Sequence, residues 1–103
     1  MLANKCFYDW MPSRYFFGDG YTLYIRRCVN GGHEIHVNAS KPVRKIGSDV
    51  MDRIGGVFYT TVLPSNKIAI NLCLKCGFEY MHTKTVFNHY TGKNITLNFY
   101  KRP

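Results

Sequence analysis

The chain has no apolar run near the roughly 20 residues that span a bilayer, which excludes a transmembrane helix and a membrane partner of that kind. Its first ten residues, Met1 to Trp10, lack the charged and then apolar layout of a secretory leader. These two absences lead us to expect a cytoplasmic protein, made in its own cell or in a host cell. There is no internal repeat and no low-complexity segment, so the 103 residues read as a single domain. Carboxylates are scarce: six Asp and Glu stand against 14 Lys and Arg, a formal charge of +8. That imbalance implies an anionic partner, either a phosphorylated cofactor, a nucleic acid or an acidic protein, with solubility alone as the plain alternative.

Cysteine is present without the pattern that would give it a framework. Nothing suggests secretion, so Cys6, Cys28, Cys73 and Cys76 are not read as disulfide partners. Cys73-x-x-Cys76 is half a zinc site, and Cys6, Cys28, His33 and His36 form no tidy second pair. Both thiols fall on apolar positions of a helix, so the expected role is core packing and no metal, with zinc or redox chemistry as alternatives.

Hydrophobic residues make up 46% of the chain, enough for a core and too many for a disordered segment. Eight Tyr and seven Phe favour strands. The best-marked element is the stretch from Pro64 to Phe78. Ser65 or Asn66 caps its first turn, and Gly77 takes the left-handed conformation that stops it. Ala69, Leu72, Cys73 and Cys76 form a buried face, while Lys67, Asn71 and Lys75 form a wet one. β-rich runs flank this helix, so it packs on a sheet.

Residues 1–20 are the hardest to read. Phe7, Tyr8 and Trp10 cluster, Met11-Pro12-Ser13 interrupts them, and Tyr15-Phe16-Phe17 runs into a Gly18-Asp19-Gly20 turn. Tyr21 to Arg27 is a strand, Val29 to Gly32 a hairpin turn, and His33 to Asn38 the returning strand. Its alternation puts Ile35 and Val37 on one face and Glu34, His36 and Asn38 on the other. Ala39 to Gly47 is a basic loop, Ser48 to Ile54 a brief helix, and Val57 to Leu63 a central strand. Strands at Phe78 to Phe87 and Asn94 to Lys101 enclose a turn at Asn88 to Gly92. The order β-β-β-α-β-α-β-β predicts an α+β fold with a mixed, mostly antiparallel sheet and two short helices.

Chemistry concentrates between His33 and Ile54. A helix N-terminus offers free N–H groups and a positive dipole end, which suit phosphate. Lys41, Arg44 and Lys45 add charge and Gly47 allows close approach, although a solvated basic loop would read the same way. Glu34 and His36 share a strand face and either could act as a general base, His having a suitable pKa, against the plain reading of polar residues on a wet strand.

Asn66, Ala69, Leu72, Lys75, Gly77 and Phe78 resemble the late Asn-x-x-Ala-x-x-Leu-x-x-Lys-x-Gly-Phe segment of the GNAT superfamily of acetyltransferases. Arg44-Lys45-Ile46-Gly47-Ser48-Asp49 is similar to that family's Arg/Gln-x-x-Gly-x-Gly/Ala loop, with Asp49 in place of the last small residue. A second register, anchored on Val37, makes Gly47 the final glycine and puts Pro42 in the Arg/Gln place. The resemblance implies acetyl-CoA as cofactor and an amine acceptor, a protein lysine included. It implies that strands 33–38 and 57–63 splay around the pantetheine arm. Lys41, Arg44, Lys45, Ile46, Gly47 and Ser48 would then hold the pyrophosphate. The backbone from Val37 to Ala39 would polarise the acyl carbonyl, and Asn66 would touch the cofactor. Many members place a tyrosine acid where this chain has Cys73. The family's opening strand and two helices have little room before Tyr15, so the acceptor site is open, completed by a second copy in a homodimer, or absent. Compact relatives occur in phages, inhibitors of host defence among them. Two other readings stay open. One is a catalytically inactive GNAT-like protein that binds a protein, as a virion component or inhibitor. The other is a basic nucleic-acid-binding module using Tyr21, Tyr24, Arg26 and Arg27.

Overall fold

In the computed structural model, which describes residues 14–28, 31–89 and 91–103, the elements follow the predicted order. They are β1 (Arg14–Gly18), β2 (Tyr21–Arg27), β3 (His33–Ala39), α1 (Arg44–Ile54), β4 (Phe58–Val62), α2 (Lys67–Lys75), β5 (Glu79–Asn88) and β6 (Lys93–Arg102). The strands form one six-stranded sheet in the order β1-β2-β3-β4-β6-β5, and β3 with β4 is the parallel pair among otherwise antiparallel neighbours. The expected cluster at Phe7, Tyr8 and Trp10, the break at Met11 to Ser13, Cys6, the Val29-Asn30 half of the hairpin turn and Tyr90 lie outside the described residues.

The two helices bridge strands in the same direction across the sheet, α1 from β3 to β4 and α2 from β4 towards β5. Right-handed crossovers running one way place their helices on one face. The core agrees: Met51 from α1 and Cys76 and Phe78 after α2 join Ile25, Ile35, Phe58, Val62 and Tyr100 of the sheet in one buried cluster. Ala69, Ile70, Leu72 and Cys73 of α2 pack against it, while Lys67, Asn71 and Lys75 face water, as the sequence period requires. Asn66 is the cap: its side-chain oxygen accepts from the Ala69 N–H at 3.2 Å. Gly77 has φ of 91°, the positive value the stop signal demands. Among the described residues no helix is long and apolar enough to cross a membrane.

Two expectations change. The helix predicted from Ser48 begins at Arg44, so Arg44, Lys45, Ile46 and Gly47 are its first turn rather than loop. Gly47 costs a helix about 1 kcal/mol relative to Ala, which is why it reads as a break. Burial overrides that cost, because Val43, Gly47 and Met51, four residues apart, share the buried face. The second change is Val37. It points to the same side as Ile35 but is 39% exposed, because β4 no longer runs beside β3 at that level.

Candidate functional site

The parallel pair β3 and β4 is joined over two positions, His33 with Phe58 and Glu34 with Tyr59. Beyond them the ladder stops, although β3 continues to Ala39 and β4 to Val62. Which groups border the gap follows from strand alternation. The His33 N–H donates to the Val57 carbonyl at 2.9 Å, and the Ile35 carbonyl accepts from Thr60 Oγ1 at 2.7 Å, so odd-numbered residues of β3 turn their backbone groups towards β4. The Ser40 N–H, of opposite parity, donates the other way, to Gly20 at 2.8 Å. The N–H groups of Val37 and Ala39 therefore aim into the gap, at a level where the ladder to β4 has ended.

The chain then turns through Ser40 to Val43 into α1. Val43 is the N-cap, and no side chain caps the first turn. The Gly47 N–H donates to the Val43 carbonyl at 2.8 Å, so the amides ahead of it, on Arg44, Lys45 and Ile46, are the ones that face outward from the helix end. Arg44 and Lys45 are exposed, Ile46 and Ser48 half-buried, and there is no acidic residue in the first turn. Asp49 is exposed and lies in the second turn. Lys41 is exposed and its ammonium sits 3.7 Å from Asp19. Gly47 is buried, yet among the described residues nothing lies within 4 Å of where a Cβ would stand. Its φ is ordinary for a helix, so its lack of a side chain leaves space rather than relieving strain.

Glu34 and His36 come together on the sheet face opposite the helices. Their side chains meet at 3.4 Å, and Arg26 Nη2 donates to the other Glu34 oxygen at 3.1 Å. Burial pushes the Glu34 carboxyl up, but the hydrogen bond and charge of His36, with Arg26, outweigh it and hold the carboxyl below its usual range. His36 is buried. Arg26, which the sequence offers only for a nucleic-acid face, is the partner of Glu34 that reading residues one at a time did not give. Counting back from the predicted turn at Val29 to Gly32 would put Arg27 opposite Glu34, whereas the hairpin register pairs Arg26 with it. That pairing also neutralises part of the basic face on which the nucleic-acid reading relied.

The remaining candidates belong to α2 and its caps. Asn66 caps α2 and is exposed. Cys73 packs against the core, and burial, then the nearby Cys76, pushes its thiol up to about 12. Cys76 is buried, with its Sγ 3.7 Å from the Arg44 carbonyl oxygen. Among the described residues no cluster of three or more His, Cys, Asp or Glu is arranged to hold a metal. An open cleft of about 460 Å³, lined by Met51, Gly55, Gly56, Gly77, Arg102 and others, lies at the opposite end of β4 from the gap. Arg102 fills part of the structural need there. Its Nε donates to the Cys76 carbonyl at 2.9 Å and its Nη2 to Asp52 at 2.8 Å, tying the ends of both helices to β6.

No protein-family profile and no curated protein matches the chain by sequence. Solved structures match it by shape. One is yncA from Salmonella typhimurium, assigned as an acetyltransferase and solved with its cofactor acetyl-CoA. It matches with a TM-score of 0.63 and 16% identity over 80% of this chain and 56% of its own. The ribosomal-protein-alanine N-acetyltransferase of Brucella melitensis gives 0.63 and 16% over 80% and 60%. A protein assigned as a phosphinothricin N-acetyltransferase gives 0.56 and 14% over 81% and 59%. The chain thus spans less than two thirds of each of these proteins. At such identities it is the fold that is shared, and the fold of this chain is that of the GNAT-type acetyltransferases.

Proposed function

We propose that the chain binds acetyl-CoA and transfers its acetyl group to an amine. One observation carries this reading: β3 and β4 part after two paired positions, with the Val37 and Ala39 N–H groups aimed into the gap and an uncapped, cationic helix end following directly. Edge amides of that kind suit the amide groups and thioester of a pantetheine arm. The first-turn amides of α1, with Arg44 and Lys45, suit a diphosphate, and Lys41 and Ser48 flank them.

When bound, acetyl-CoA supplies an acyl group activated as a thioester. With acetyl-CoA bound, the N–H of Val37 would donate to the acyl oxygen as it gains charge. His36, held by Glu34 and through it by Arg26, takes the amine's proton by way of a water molecule. Cys73 is a poor donor at about 12, so the proton that the departing sulfur needs comes from solvent. The acceptor class we assign is a lysine side chain of a protein, because exposed strand surface on β5 and β6 beside the gap leaves room for a large substrate. Asn66, at the start of α2, is assigned to the cofactor's outer part.

Calorimetric titration with acetyl-CoA and with coenzyme A tests the reading. Saturable binding of both is expected, weakened by Arg44→Ala with Lys45→Ala. No binding of either ligand would sink it. The poor acid at Cys73 also favours a second reading, a GNAT-like fold that binds acetyl-CoA or a partner protein without catalysis. Thiol release in the presence of a panel of amines separates the two: release supports transfer, and binding without release supports the inactive form.

A further inference from the structure

The outer strand of the sheet has a backbone edge that the acetyl-transfer reading does not use. β5 is the last strand in the sheet order, and its residues from Glu79 to Thr85 are all exposed. Tyr80 is 55%, Met81 46% and Phe87 46% exposed. Along an edge strand every second residue turns its N–H and C=O outward, a ready template for another chain. Proteins blunt such edges with bulges and charges. β5 has a register shift between Tyr80 and His82, but from Thr83 to Asn88 it pairs with β6 without interruption.

We propose that this edge, Thr83 to Phe87, docks an extended acidic segment of a partner protein, which adds to the sheet as a further strand. Charge selects the partner. The strip and its β6 partners carry Lys84, with Lys93 next to them at the start of β6, and no Asp or Glu, while the nearest carboxylate of β5, Glu79, stands opposite Lys101 at the far end of the strand. A second copy of this chain would bring the same cations against them, and each copy carries +8. An acidic segment meets complementary charge instead. The chemistry also favours a peptide over a nucleic acid. Outward backbone groups match another backbone, whereas the rings that would stack on bases are already paired. His82 stacks on Phe99 at 4.8 Å, Phe87 meets His89 edge-on at 4.9 Å, and Tyr80 meets Tyr100 edge-on at 5.8 Å.

The strip is preformed. Thr85 and Thr96 hydroxyls are 2.9 Å apart, Thr83 Oγ1 donates to Asn98 Oδ1 at 2.7 Å, and Tyr80 Oη lies 2.7 Å from Thr83 Oγ1. These links hold β5 on β6, so little ordering is lost on docking. Its place matters too. Val62 ends β4 opposite Asn98, so Lys93 to Leu97 and their β5 partners extend past β4 at the end where β3 and β4 part. A docked segment would run towards the gap, but the proposal rests on the edge and its charge and not on acetyl transfer.

The test is fluorescence anisotropy with a labelled peptide of alternating glutamate and threonine, without acetyl-CoA, so that failure here leaves the transferase reading untouched. Saturable binding is expected, weakened about tenfold or more by Lys84→Glu with Lys93→Glu, both on the surface, with the fold checked by circular dichroism. The same peptide with proline at alternate positions, lacking half its N–H donors, should not bind. No saturable binding, equal binding of the proline peptide, or indifference to the charge reversals would overturn the proposal. So would single-stranded DNA that binds as tightly and competes for the site, or a dimer of this chain that excludes the peptide.

Discussion

Thr60 Oγ1 donates to the Ile35 carbonyl oxygen at 2.7 Å, at the level where β3 and β4 cease to pair. The bond is buried and joins a side chain of one strand to the backbone of the other. It gives the first carbonyl beyond the ladder a partner that does not extend the ladder, so the strands can part without leaving a buried acceptor empty. Thr60→Val keeps the shape and removes the donor. The expected cost is about 1–3 kcal/mol, read as a lower urea midpoint at an unchanged slope. Thr60→Ser keeps the hydroxyl and should lie between the two. Equal stability of wild type and the valine variant would remove this bond from the account of the gap.

Two glycines should respond in opposite ways. Gly77 has φ of 91°, and a Cβ there would meet Arg102 Nε at 3.7 Å, an ordinary contact. Gly77→Ala is therefore penalised by its backbone, by about 1–2 kcal/mol. Gly47 is helical, with no described atom near its missing Cβ. Gly47→Ala should leave stability unchanged or raise it by about 0.5–1 kcal/mol, because alanine suits a helix better. It should at the same time weaken acetyl-CoA about tenfold, ~1.4 kcal/mol, if the space is where the diphosphate lies. Thermal unfolding with and without acetyl-CoA measures both. A stabilised variant with undiminished affinity would move the diphosphate elsewhere.

Acid should weaken the fold in two separate steps. Burial first, then the Arg27 and Arg14 charges, hold His33 below its usual 6.5. Below 6.5 the unfolded chain then binds more protons than the fold, so His33's contribution is full above 6.5 and declines as pH drops towards the lowered value. Glu34 is also held low, the His36 and Arg26 interactions outweighing burial. Its contribution is full above 4.5 and is lost as pH falls through the depressed folded value. His33→Gln should remove the first decline and Glu34→Gln the second. Urea midpoints taken across the acid range decide, and a profile that neither substitution alters contradicts the assignment.

What the sequence revealed and what it hid divide along local and non-local lines. Helix α2 was legible because each of its signals is carried by the helix itself: the cap at Asn66, the period from Ala69 to Cys76 and the stop at Gly77. The start of α1 was not, because Gly47 reads as a break until the burial of Val43 and Met51 on the same face is known. Glu34 and His36 were found as a pair on one strand face, but Arg26 enters only through the hairpin register. The place where β3 and β4 part has no signature in either strand. It depends on how far two segments separated by α1 run side by side, and on a threonine that serves a carbonyl 25 residues away.

Cys73 occupies the place where the resemblance puts a proton donor, and its surroundings argue for a different part. The side chain lies against the core, and burial with the neighbouring Cys76 pushes the thiol up to about 12. A reactive or redox cysteine needs an accessible thiolate, which this environment disfavours. A donor must also release its proton readily to an ordinary thiolate, near 8.5, and a group at about 12 gives no drive for that transfer. Native protein treated with a thiol reagent at neutral pH, digested and mapped by mass spectrometry, should carry little label on the Cys73 peptide, and full label after unfolding. Cys73→Ala should keep acetyl transfer within about twofold while lowering stability slightly through lost packing. Rapid labelling of Cys73 in the native protein, or a large loss of rate with binding intact, would restore it as the acid and overturn the assignment of that proton to solvent.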